Sequence, residues 1–486
     1  MQTNPKFSYS AKLVILVGVC FGAGNARADV TGQISGAVKD PAGAMVAGVA
    51  ISVSNTDTGF QQITKTDSQG AFGFPALPVG HYTLRALQNS FKEYRQEGLA
   101  LDVNTALRVD IVLQLGAETQ QVTVDASAVQ VESASTQMGE VITSEKMTTV
   151  PLNGRSYTDL LALQPGVTYT SSGQYGGLAI SGDLNPGNLS VSGGRESANG
   201  FMVNGANVQE GANMGTAIIP NLDSIAEFRI LTNNFDAEYG NYSGGQINAI
   251  TKSGTNSYHG DVFDFLRNTD LDARNFYSPT RGKFIQNQFG GTAGGPILRD
   301  KLFFFGDYQG TRQILGQDTG NIQVPSLSER TGNLSDIASQ LTGVVNGSYW
   351  ASQLAQKLGY AVAVGEPYYA PGCSQNTACV FPNAIIPSPA ITTPSQNLLK
   401  YIPVSNSGQY FSTAANNSQL DDSKGGIRVD WNTRFRNISG YYFIDDFTLN
   451  NPYGGASLPG FNTLTVGRSQ LVNVSHTKTL GPFKCQ

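Results

Sequence analysis

The sequence predicts a mainly β protein in three parts: an N-terminal β-sandwich, an α+β middle body, and an incomplete antiparallel transmembrane β-barrel wall. Three observations predict it. Charged residues are only 14 % of 486, against 56 glycines, 20 tyrosines and 24 phenylalanines, the balance of many short strands joined by tight turns. In the C-terminal half, apolar and polar residues alternate with period two, as a wall between lipid and an aqueous lumen demands. The chain also opens with an export signal yet holds no run of eighteen apolar residues, so any membrane crossing falls to strands.

The export signal is 1–28. Lys6 and Lys12 precede an apolar run over 13–22, and Ala26-Arg27-Ala28 supplies the small-x-small cleavage pattern. Cys20 would suit a lipoprotein signal, but Val19 stands where a small residue is needed, so it reads as part of the apolar run. Over 29–115, short strand candidates at 34–38, 49–53, 61–66, 71–74, 82–86 and 108–113 are separated by DPAG, NTDTG, TDSQG and LPVG, all strong turn signals. That punctuation predicts a sandwich of about seven strands. The segments GAVKD (36–40), TDSQGAF (66–72) and LPVGHY (77–82) resemble a carboxypeptidase regulatory-like domain. No zinc-ligand pair or catalytic glutamate motif accompanies them, so His81 reads as a strand residue. Tyr82, Phe91 and Tyr94 either form an aromatic face for sugar or cover the sandwich core.

A polar linker, 116–135, carries one β-prone run, Gln121-Val122-Thr123-Val124-Asp125. The middle body, 136–256, expects short helices near 143–147 and 156–163, the second stopped by Pro165-Gly166. Its glycine-dense stretch keeps strand spacing at Ile225, Phe228 and Ile230, and at Ile247, Ala249 and Thr251, but promises little apolar core of its own. It should therefore be enclosed by something else.

The strings PLNGRSYTDLLALQPGV (151–167), SGGRESANGFMVNG (192–205), IAEFRILTNNFDAEYG (225–240), GGQINAITKSGTNSYHGDVFDFLRN (244–268) and QNQFGGTAGGPILRDKLFFFGDYQG (286–310) resemble the plug and first barrel strands of outer-membrane TonB-dependent receptors. The Oar-like subgroup, with its N-terminal carboxypeptidase regulatory-like domain, fits best. The resemblance implies that 136–256 is a plug and that Gln121 to Asp125 is the TonB box, an extended segment able to join the edge of a partner's sheet. It also implies a TonB-ExbB-ExbD-type energy-transducing complex as partner, outer-membrane lipid around the wall, and a cell outer membrane location. Arg195, Glu227, Arg229 and Glu238 are expected to bridge plug to barrel. Tyr175, on a glycine-rich loop, and Tyr368 and Tyr369 are expected to face a small-molecule or oligosaccharide ligand.

In 257–486, Leu302, Phe304, Gly306 and Tyr308 alternate with Phe303, Phe305, Asp307 and Gln309. Ile427, Val429 and Trp431 alternate with Arg428, Asp430 and Asn432, and Val472 and Val474 with Asn473 and Ser475. Between these strands lies a strand-poor insertion, 312–424, expected to be a long extracellular loop. Within it Cys373 and Cys379 are expected to pair, as an exported protein allows; no histidine or second cysteine pair stands near for zinc. The 230 positions from 257 to 486, half of them insertion, leave room for about six to eight spans. A barrel holding a plug needs about 22 strands, so the expected product is a fragment with an open, curved sheet.

Net charge of -5 offers no footprint for nucleic acid. The chain lacks GxxxxGK[ST], GxSxG and HExxH, so no enzyme, metal or cofactor is expected, and active movement of a ligand needs energy from a partner. The resemblance points to a receptor for energy-coupled uptake. The rivals are an exported adhesin or carbohydrate-binding protein, a secreted hydrolase, and a nonfunctional remnant.

Overall fold

The computed structural model describes residues 30–116, 121–125, 137–150, 152, 155–169, 189–211, 215–235, 239, 241–274, 276, 281–433, 436–454 and 457–478. The expected export signal, 1–28, lies outside them. The first part is a two-sheet sandwich: β1 (Thr31–Lys39), β2 (Ala50–Asn55), β3 (Gln61–Lys65), β4 (Ala71–Pro78), β5 (Gly80–Leu87), β6 (Glu93–Leu101), β7 (Ala106–Arg108) and β8 (Ile111–Val112). One sheet joins β4 to β1, with β7 and β8 parallel on β1; the other runs β3-β2-β5-β6. Alternate residues close a core of Ile34, Ile51, Val53, Phe72, Phe74, Leu84 and Leu99. Asp40 and Asp67 build the tight turns alike, each carboxylate accepting backbone N–H groups two and four residues on.

Two features of the sandwich depart from expectation. Strand β6 was not foreseen, because its first half, EYRQE, is polar and only half-buried, and Gly98 at φ +73° breaks the alternation. The strand expected over 108–113 is split, since the Asp110 carboxylate accepts the Ala37 N–H and interrupts the pairing with β1. Gly36 allows that crossing: a Cβ there would lie 1.8 Å from the Val109 carbonyl oxygen. Tyr82 is fully buried and donates to the Pro78 carbonyl at 2.6 Å, while Phe91 and Tyr94 pack on the core, so the three rings cover the sandwich and form no open aromatic face.

After β9 (Gln121–Asp125), the middle body contains β10 (Met138–Thr143), α1 (Ser144–Thr149), α2 (Thr158–Leu161), β11 (Val167–Tyr169), β12 (Leu189–Val191), β13 (Gly200–Val203), β14 (Ala206–Asn207), β15 (Ile225–Asn233) and β16 (Gln246–Thr251). Its main sheet runs β10-β15-β16-β13-β14. The expectation of a core-poor body needs correction. Met147, Tyr157, Leu160, Leu161, Val203, Phe228, Ile230 and Ile247 form one apolar cluster, which continues into Tyr441 and Phe443 of the wall. The cluster was hard to see because β16 is buried on both faces, so its polar residues Gln246 and Asn248 are as enclosed as Ile247 and Ala249.

The wall is one antiparallel sheet, ordered as in the chain: β17 (His259–Asn268), β18 (Phe284–Leu298), β19 (Leu302–Gly316), then, after β20 (Ile322–Gln323) and β21 (Tyr410–Phe411), β22 (Asn417–Asn432), β23 (Arg436–Asn451) and β24 (Thr463–Lys478). It is open, with β17 and β24 as its edges. Ile427, Val429, Trp431, Val472 and Val474 are exposed on the outer face, Val472 at 69 %. On the inner face Phe303, Phe305, Gln309, Asp430 and Phe443 are buried, Phe443 within the body's apolar cluster. One end carries the short connections 299–301 and 433–435; the other carries 269–283, 452–462 and the insertion. The insertion is 317–416 and not 312–424, because β19 and β22 keep pairing as far as Gly316 and Asn417.

The insertion folds on itself. Val345, Ala351 and Val380 form a small core, and Cys373 and Cys379 are disulfide-bonded. Arg330, from α3 (Leu327–Arg330), donates to the carbonyls of Leu399, Ile402 and Pro403 at 2.8, 2.9 and 2.5 Å. Arg330→Met deletes those charged donors, a loss of about 2 kcal/mol. Chymotrypsin cleavage within 317–416 should then quicken by roughly 30-fold, read on gels over a time course.

Candidate functional site

The sandwich, the body and the short-turn end of the wall meet at one junction. The turn 102–105, leading from β6 to β7, is fixed in the sandwich by the Asn104 N–H, which donates to the Thr31 carbonyl at 3.1 Å. Facing it, Glu227 and Arg229 stand two apart on β15 and so share one side of that strand. A Glu227 carboxyl oxygen accepts the Val103 N–H at 2.6 Å. Arg229 donates to the Val103 and Asn104 carbonyls at 3.0 and 2.8 Å, and to the Thr105 hydroxyl at 3.2 Å. Asn104 also donates its side-chain amide to the Tyr239 hydroxyl. A second contact links sandwich to wall through the last residue of the body: the Asn256 N–H donates to the Asp57 carbonyl at 3.0 Å, and the Asn256 side chain bonds Asp300 in the short turn between β18 and β19.

Glu227 and Arg229 were expected against the wall; the structure places them against the sandwich, because β15 turns that side toward the 102–105 turn. Burial, reinforced by the neighbouring Asp102 carboxylate, raises the Glu227 carboxyl to about 8. Arg195 is exposed beside a short helical turn, Glu196–Ala198, and makes no ion pair among the described residues. Glu238 and Tyr175 lie outside the described residues. Tyr368 stacks on Phe381 at 5.9 Å and belongs to the insertion's own packing, with Tyr369 half-buried next to it.

Other residues hold body to wall. Arg428, paired with Asp430 at 2.9 Å, donates to the Thr251 carbonyl at 2.6 Å. The Ser253 hydroxyl donates to Asp430 at 2.7 Å, Lys424 to the Ile219 carbonyl at 3.3 Å, and Asn473 to the Asn204 carbonyl at 2.7 Å. Arg155, ion-paired to Asp223 at 2.5 Å, lies over the Phe265 ring at 3.9 Å. The alternation of β22 had set Arg428 and Asp430 opposite its apolar residues, and that of β24 had done the same for Asn473, so part of this set was named by the sequence. A cavity of about 560 Å³ opens between the three parts, lined by His81 and Asp57 of the sandwich, Glu145 and Thr251 of the body, and Arg428 and Asn437 of the wall.

The segment Gln121–Asp125 is a strand of the sandwich. It pairs in parallel with β6, making a five-stranded sheet β3-β2-β5-β6-β9 whose neighbouring turn is the one held by Glu227 and Arg229. The junction is held by hydrogen bonds and contains one carboxyl that burial raises.

Residues 250–483 match the model of an outer membrane beta barrel domain, and 33–114 match a carboxypeptidase regulatory-like domain. The chain is 31% identical over 278 residues to the TonB-dependent transporter Oar of Myxococcus xanthus, covering 54% of this chain and 25% of that protein. It therefore spans about a quarter of that relative's length. Among solved structures it resembles the outer membrane transporter YddB from Escherichia coli, with 10% identity, TM-score 0.42, and 70% of this chain and 37% of that one covered. The siderophore receptor PirA from Acinetobacter baumannii matches with 15% identity, TM-score 0.34, and 71% and 46% covered.

The raised Glu227 predicts a sign for pH. A carboxyl held above its ordinary value favours the docked state when protonated, so this contribution is complete below about pH 4.5 and is lost as pH climbs through about 8. Hydrogen exchange of 102–105, corrected for intrinsic rates, should show protection falling between pH 5 and 9. In Glu227→Gln that decline should be absent.

Proposed function

We propose, for a chain that is a homologue of the TonB-dependent transporter Oar and carries an outer membrane beta barrel domain, that it acts as a receptor for energy-coupled uptake. The protein is an outer-membrane one, and its curated relative is a transporter. The observation that carries the reading is the body seated on the inner face of a wall whose outer face is apolar, with a strand-forming segment, 121–125, held at the end where the wall's connections are short. In outer-membrane barrels short turns face the periplasm and long loops face outside. The sandwich and Gln121 to Asp125 then lie where an inner-membrane partner reaches, and the insertion lies where ligand arrives.

In this reading 136–256 is the plug, 121–125 the TonB box, and a TonB-ExbB-ExbD-type complex the energy source. The partner adds a strand to the box and pulls. The load passes to the plug, whose hydrogen bonds to Arg428, Lys424 and Asn473 give way in turn, and a path opens along the wall. The ligand is a small molecule or an oligosaccharide, met first by outer loops, the disulfide-closed segment with Tyr368 and Tyr369 among them.

The test is strand chemistry at the box. Val122→Pro removes a backbone N–H and the extended pairing it serves. Binding of a soluble periplasmic TonB domain to the detergent-solubilised chain should weaken at least 100-fold. Unchanged binding, or none to the parent chain, sinks the receptor reading and leaves the exported adhesin in its place.

A further inference from the structure

The pairing of Gln121–Asp125 on β6 has a consequence for how a partner gains access to it. Register sets Glu93 opposite Gln121, Tyr94 opposite Val122, Arg95 opposite Thr123, Gln96 opposite Val124 and Glu97 opposite Asp125. Without this strand, β6 is the bare margin of its sheet, and a bare margin is a template for any extended segment nearby. We propose that the β6 margin of the sandwich is a strand-binding site that holds the candidate TonB box at rest, so that the box must be peeled from β6 before a partner's strand can take it. This rests on the receptor reading above.

The two strands differ in how firmly each is held. β6 is fixed: Leu99 and Leu101 are buried in the sandwich core, six residues of β6 pair with β5, and the turn that follows is gripped by Glu227 and Arg229. β9 is short, Val122 is half-buried and Val124 is 37 % exposed. Its attachment is therefore mostly main-chain hydrogen bonding in a parallel ladder, the weaker of the two sheet geometries per residue. Such a strand exchanges, while β6 stays in place to receive it again. A partner that reads the same backbone and side chains competes with β6 for them, and the sandwich lowers the apparent affinity by the fraction of time the box spends docked.

The test ties the strand down. Tyr94→Cys with Val122→Cys places a cross-link between two residues in register, and Ser52→Cys with Arg85→Cys places a control cross-link between β2 and β5. Each full chain, solubilised in detergent, is titrated with a soluble periplasmic TonB domain, oxidised and then reduced. The control also covers reduction of the Cys373–Cys379 bond. Oxidation of the 94–122 pair should cut binding at least 30-fold, with recovery on reduction, while the control pair binds alike in both states. Equal binding of the oxidised and reduced 94–122 pair overturns the proposal while leaving the receptor reading standing, provided Val122→Pro has lost binding. No binding by the parent chain overturns both.

Discussion

A buried backbone carbonyl must be met by a donor, and that constraint decides how the three parts fit together. The body's strands and turns end inside the wall, away from water. There the carbonyls of Ile219, Thr251 and Asn204 accept from Lys424, Arg428 and Asn473. All three donors stand on the inner face, and Arg428 and Asn473 lie between apolar outer neighbours, Ile427 and Val429 and Val472 and Val474, so the period-two pattern that faces lipid on one side also delivers donors on the other. Arg428 is held in place by Asp430, which accepts from Ser253 as well, so one pair serves two body contacts. The apolar cluster then closes over these contacts through Tyr441 and Phe443.

At the sandwich the direction reverses. The wall offers side chains to the body's main chain, whereas the body offers side chains, Glu227 and Arg229, to the sandwich's main chain. Main-chain atoms of a tight turn tolerate change in the side chains around them, so the sandwich presents a generic surface and the body supplies the selectivity. The carboxyl among these side chains is the one group whose charge alters the fit: deprotonated, Glu227 keeps its bond from Val103 but faces Asp102.

Much of the wall was legible in the chain, because alternation is local: Phe303 and Phe305, or Arg428 and Asp430, declare their face within one strand. The sandwich turns were legible too, since Asp40 and Asp67 carry their mechanism within five residues. Partners across long separations were not. Nothing around Glu227 names Val103, 124 positions away, and a charge in a lumen-bound segment suits either neighbour equally. Strand β6 was hidden by its polar first half, whose side chains are only half-buried and bury little apolar area. Glycine density concealed the body's core for a related reason: strands buried on both faces lose the contrast that a pattern reading needs.

The next described strand after β9 is β10, which pairs with β15 so that Thr143 lies opposite Glu227 and Val141 opposite Arg229. The other connection from β9 runs through β6 and the 102–105 turn, and it ends on the same two side chains. One path is covalent and the other is docked, yet they converge on β15 at 227–229. β15 in turn pairs with β16, whose last residue, Thr251, is held by Arg428 of the wall. Both paths from 121–125 therefore meet on β15, while the contact of Asp57 with Asn256 gives the sandwich a separate link to the wall through Asp300.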